Sequence, residues 1–129
     1  MREIPRELDW VKERAACTLE RMFALLHESV TEDIKRINTI RKFPESDGFE
    51  ISPSNDGKAF TVKRAQAIKP VVIFSIESDC ISVTGLEGAT QEYRISLCDD
   101  GRCKLIEHGV PLEQWQVRRA ALEALFFRS

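Results

Sequence analysis

Residues 93–108, YRISLCDDGRCKLIEH, alternate apolar and polar side chains on either side of Asp100-Gly101, and an Asp-Gly pair between alternating runs is a strong hairpin signal. A two-residue turn there sets Ile95 opposite Ile106 and Cys98 opposite Cys103. Tyr93, Ile95, Leu97 and Ile106 then share an inward apolar face. Arg94, Ser96 and Cys98 lie outward against Cys103, Leu105 and Glu107, with Arg94 and Glu107 as cross-strand partners of opposite charge. Opposed antiparallel residues have Cα atoms about 4.5–5.5 Å apart, a span a disulfide accepts. A four-residue loop from Asp99 to Arg102 keeps the same two thiols opposed, so Cys98 and Cys103 are expected to be close enough to oxidise.

The alternation extends outward over Phe49 to His108, punctuated by Asn55-Asp56-Gly57, Ser78-Asp79 and Gly85 to Gly88. Such punctuation between period-two runs reads as a meander of six short strands. A turn at Asp56-Gly57 pairs Ile51 with Val62 and Glu50 with Lys63. A turn at Ser78-Asp79 pairs Ile76 with Ile81 and Phe74 with Val83. Each hairpin sorts its apolar residues to one face, as a correct register requires. Pairing Ile81 with Leu97 and Val83 with Ile95 would place Cys80 beside Cys98, making a row of three thiols about 4.8 Å apart.

Upstream, Leu8, Val11, Ala15, Leu19, Met22, Leu26, Val30, Ile34 and Ile37 recur at helical spacing between Pro5 and Lys42. An unbroken helix of that length runs about 55 Å, longer than the roughly 36 Å diameter of a compact chain this size. It therefore overhangs or breaks. Ser29-Val30-Thr31-Glu32 matches a capping box, and Asp33 interrupts the apolar stripe, which places the expected break there. Trp10, Cys17 and Ala24 form a second stripe nearly opposite the first.

Downstream of Pro111, Leu112, Trp115, Leu122, Leu125 and Phe126 make the larger apolar arc of a C-terminal helix, with Val117, Ala121 and Ala124 on its far side. The expected fold is thus α+β: an N-terminal long helix or broken helix pair, a six-stranded antiparallel meander and a C-terminal helix, with the helices on one sheet face. At 129 residues the chain has the size of one domain.

Lys and Arg total 19 against 21 Asp and Glu, and residues 1–46 carry 9 of each sign. No segment has the basic excess of a nucleic-acid footprint; Lys63-Arg64 with Lys69 reads as a solvated face. Residues 1–10 are charged, and the longest apolar run, Val71 to Phe74, is too short to span a bilayer. These features suggest a cytosolic protein that binds neither membrane nor nucleic acid and keeps its thiols mainly reduced.

Glycine-rich phosphate loops, nucleophile elbows and paired-histidine metal motifs are missing from the sequence, so neither catalytic residues, a metal site nor a cofactor is expected. Three functional readings follow. The leading one is a non-catalytic protein-binding or regulatory module acting as a homodimer, through Trp10, Cys17, Val117 and Ala121, which one sheet layer cannot readily bury. The second is a thiol switch or metal binder using Cys98 and Cys103 with Cys80. The third is a carrier of small apolar ligands, with a pocket lined by Phe74, Tyr93 and Trp115.

Overall fold

The computed structural model describes residues 9–44, 46–68 and 71–127. Its elements in chain order are α1 (Trp10–Ala16), α2 (Leu19–Ile40), β1 (Phe49–Pro53), β2 (Ala59–Arg64), β3 (Val71–Ile76), β4 (Ile81–Thr84), β5 (Thr90–Leu97), β6 (Cys103–Glu107), β7 (Val110–Leu112) and α3 (Gln114–Phe127). Pro5, Leu8 and Lys69 lie outside the described residues. The strands form one antiparallel sheet in the order β1 to β7.

The sheet has seven strands rather than the expected six. The extra strand follows the pair His108-Gly109, whose φ angles are 50° and 79°. Two successive left-handed residues make the tight hairpin turn whose twist matches the strands. Pro111 therefore does not open the last helix. It lies opposite Ile106 on the terminal strand, where a missing N–H costs no ladder bond. The helix is opened instead by Glu113, whose N–H donates to Gln116 Oε1 at 2.9 Å.

The hairpins that turn on even loops match the sequence reading: Ile51 faces Val62, Glu50 faces Lys63, Phe74 faces Val83 and Ile76 faces Ile81. The β5–β6 hairpin departs by one residue. Cys98 N–H donates to Arg102 O at 2.9 Å and Gly101 N–H to Cys98 O at 2.9 Å, with Gly101 at φ 82°. This is a three-residue loop, Asp99 to Gly101, in which only the last residue needs the left-handed conformation. An odd loop reverses the parity of the second strand. Ile95 consequently faces Leu105, and Leu97 rather than Cys98 faces Cys103. The β4–β5 register is shifted by four residues, so that Ile81 meets Tyr93. Even shifts keep the faces but remove the row of thiols: Cys80 and Cys98 lie on the order of 13 Å apart along the strand.

One face of the sheet carries Phe49, Phe60, Val62, Val72, Phe74, Ile81, Val83, Tyr93 and Leu105. It packs in a single cluster with Met22, Phe23, Leu26, Val30, Ile34 and Ile37 of α2 and Val117, Leu122, Leu125 and Phe126 of α3. Phe60 stacks on Phe74 with ring centroids 4.8 Å apart. Ile76 and Ile95 are half-buried at the edge of this cluster. Ile106, expected inside, points to the opposite face. There Ser82 is nonetheless buried, its hydroxyl donating to Glu77 Oε1 at 3.0 Å.

The N-terminal helix breaks at Cys17-Thr18 and runs without interruption through Ser29 to Glu32. Thr18 caps α2, its Oγ1 accepting from Arg21 N–H at 3.2 Å. Asp33 needs no break, because Arg118 Nη1 of α3 donates to its carboxylate at 2.6 Å. At the far end of α2, Asn38 clamps β1 with two bonds: Nδ2 donates to Phe49 O at 3.0 Å and Oδ1 accepts from Phe49 N–H at 2.8 Å. Replacing Asn38 with alanine strands both backbone groups of buried Phe49, at about 1–3 kcal/mol each. Urea denaturation of Asn38→Ala is expected to show that loss; an unchanged midpoint would mean that water replaces the clamp.

Candidate functional site: a groove between two helices

The C-terminal half of α2 lies beside α3. The two helices meet at the Asp33–Arg118 ion pair, both of whose side chains are largely shielded from solvent. That pair also lines a groove of about 480 Å3 between the two helices. Ile37, Leu122 and Phe126 form its floor, each nearly buried. Ile40, Trp115 and Phe127 form its apolar rim and are 66%, 51% and 65% exposed. Large apolar side chains exposed together on a folded domain are the usual mark of a contact surface. Arg36, Arg119 and Glu123 complete the lining; Arg119 Nε donates to Glu123 Oε2 at 2.9 Å in the open.

Polar contacts anchor both ends of α3. Arg41 Nη1 donates to Phe126 O at 2.6 Å, placing a cation at the C-terminal end of α3, where the helix dipole favours one. At the opposite end, Lys104 bridges Asp100 at 2.8 Å and Glu113 at 3.7 Å, and Arg102 joins Glu113 at 3.1 Å. The hydrogen bond from Lys104 holds the Asp100 carboxyl below the usual range and raises the lysine in return. These charges tie the β5–β6 loop to the start of α3. Within the helix pair, Arg118 Nε and Gln114 Oε1 are buried without a hydrogen-bond partner among the described residues.

Several expected site residues lie elsewhere. Val117 is fully buried, which removes it from any exposed interface, and Ala121 is partly buried against the core at the edge of a cleft; α3 is rotated so that the Val117 side meets the sheet. Trp10 is 65% exposed on α1. Cys17 is buried in a disulfide with Cys103, Cα atoms 5.4 Å apart and 86 residues apart in sequence. The expected Cys98–Cys103 pair is therefore corrected: the odd loop turns Cys103 inward, where the α1–α2 junction supplies its partner. Cys98 is a half-buried free thiol, and Cys80 a buried one whose pKa is raised by burial.

The expected ligand pocket is not assembled either. Phe74 is packed solid in the core, while Tyr93 borders a cleft against Ala120, Ala121 and Ala124. Burial, with a smaller contribution from Glu107, pushes the Tyr93 hydroxyl up to about 12. A wider, open cleft of about 770 Å3 lies between α2 and the β1–β2 hairpin, where the His27 ring meets Phe60 edge-on at 4.9 Å.

Among the described residues, no group of histidine, cysteine, aspartate or glutamate side chains could hold a metal ion, and no helix is long and apolar enough to cross a membrane. Sequence reading alone missed Ile40 and Phe127. A usable signal was present: Asp33 within an apolar stripe demands a basic partner, and Arg118 then fixes which sides of the two helices adjoin. The chain matches no family model, no curated protein and no solved structure.

Proposed function

We propose that this protein is a non-catalytic protein-binding module that acts as a homodimer, with the α2–α3 groove as its contact surface. The observation that carries this reading is the grouping of exposed Ile40, Trp115 and Phe127 over a floor of Ile37, Leu122 and Phe126. A second copy suits the groove because its rim bears both signs of charge. In a two-fold interface the same patch meets itself, so Arg36 and Arg119 of one copy can face Glu123 of the other. The dimer surface thus shifts from Val117 and Ala121 to the opposite flank of α3.

Sedimentation equilibrium at micromolar concentration tests the proposal. The wild type is expected to dimerise, and Trp115→Ala to weaken the dimer about thirtyfold, corresponding to about 2 kcal/mol for a central aromatic anchor. Trp115 is half-exposed in the single chain, so the variant folds normally. A wild type that stays monomeric at every accessible concentration would sink the proposal, as would a dimer indifferent to Trp115→Ala and Phe127→Glu.

A further inference from the structure

We infer that the Cys17–Cys103 disulfide is a redox-controlled latch, whose reduction lets α1 and α2 join into one continuous helix. The apolar spacing Val11, Ala15, Leu19, Met22, Leu26 passes through the Cys17-Thr18 break without a change of phase. Neither residue at the break is a glycine or proline, yet both leave helical geometry, Cys17 at φ −86°, ψ 82° and Thr18 at φ −125°, ψ 156°.

The two conformations exclude one another. On a continuous helix with about 100° per residue, Cys17 falls some 160° around the axis from Leu19 and close to opposite the Met22–Leu26–Val30 stripe. That stripe is buried against the sheet. Cys17 in a continuous helix would therefore face away from the sheet, whereas its partner Cys103 lies on the inner face of β6 beside Leu105. The disulfide can form only if the helix is broken and its N-terminal arm turned.

Among the described residues, the remaining hydrogen bonds at the break are local: Arg14 Nη1 donates to Cys17 O at 3.4 Å and Thr18 N–H to Ala16 O at 3.1 Å. None of the seven residues of α1 is buried, and an isolated helix shorter than about 12–15 residues is marginal in water. Joined to the 22 residues of α2, the same segment extends an existing nucleus and regains the backbone bonds left open at the two helix ends. Opposing this is the Thr18 cap, worth about 1 kcal/mol. A bistable element with a covalent bond on one side and helix propagation on the other responds to thiol redox state.

The reductant is a dithiol. One of its thiolates attacks Sγ of Cys103, the less buried residue of the pair; the Cys17–Cys103 bond breaks and Cys17 leaves as a thiolate that takes up a proton. The second thiol of the reductant then attacks its own sulfur in the mixed disulfide, releasing Cys103 and closing the reductant's disulfide. Two electrons pass to the protein.

The test uses the full chain carrying Cys98→Ser, which prevents exchange within the hairpin, and compares its air-oxidised and dithiothreitol-reduced forms by backbone NMR and amide exchange. Reduction is expected to move the carbon shifts of Cys17 and Thr18 to helical values and to slow exchange of the Thr18 to Met22 amides at least tenfold. Cys17→Ser should show the same state without reductant. Shifts that stay non-helical at residues 17 and 18 after reduction would overturn the latch. So would loss of the sheet signals, which would make the bond a staple, or an oxidised sample lacking the two-hydrogen mass difference of a Cys17–Cys103 bond.

Discussion

Leu105→Ala is expected to lower the unfolding free energy by about 2–5 kcal/mol, the range for a fully buried leucine. Ile106→Ala, one residue further on, should cost less than half as much. Leu105 is completely buried between Ile95 on β5 and Leu112 on β7, whereas Ile106 is half-buried on the opposite face against Pro111. Equilibrium urea denaturation of the two variants compares the three-residue loop with the two-residue loop directly, because the alternative register exchanges the two residues. A larger loss at Ile106 would show that the hairpin turns at Asp100-Gly101 after all.

Loss of the disulfide is the second large effect. Cys17 and Cys103 are 86 residues apart, and closing a loop of that length in the unfolded chain removes entropy worth about 4–5 kcal/mol at 25 °C. Oxidised wild type should therefore exceed Cys17→Ser in stability by several kcal/mol, with helix extension in the variant recovering part of the difference. Cys98→Ser should change the urea midpoint little, since Cys98 is unbridged. The contrast separates this bond from the short Cys98–Cys103 bridge, whose small loop carries a much smaller entropy. Equal losses in Cys17→Ser and Cys98→Ser would contradict the observed pairing.

The strand pattern from Phe49 to Ile81 was legible from sequence because alternation and turn chemistry agree there. Ile51 beside Val62 and Phe74 beside Val83 follow from loops with an even number of residues, and a slip of one residue would turn these side chains to the other face. Past Asp99 that redundancy fails: Leu105 and Ile106 are adjacent and both apolar, so either parity offers one of them to the core. Asp-Asp-Gly serves a two-residue or a three-residue loop equally well. The missed seventh strand has a similar cause, since Pro111 suits both a helix start and an edge strand.

The inner face of α2 was likewise set locally, by the period from Leu19 to Ile37, but its starting point was not, because the same period continues upstream and the expected break lay at Ser29 to Glu32. The rotation of α3 was not, because apolar residues occur around much of its circumference and no single stripe dominates. Tertiary contact decided it: Val117 fits the sheet, Arg118 reaches Asp33, and Trp115 is left on the rim of the groove. The helix break at Cys17-Thr18 was equally hidden, because the residues on either side of it continue one helical pattern. Sequence therefore determined the identity and facing of elements whose signals repeat every two or 3.6 residues. The hairpin parity, the phase of α3 and the point where the long helix breaks depended on partners distant in the chain, which local periodicity cannot encode.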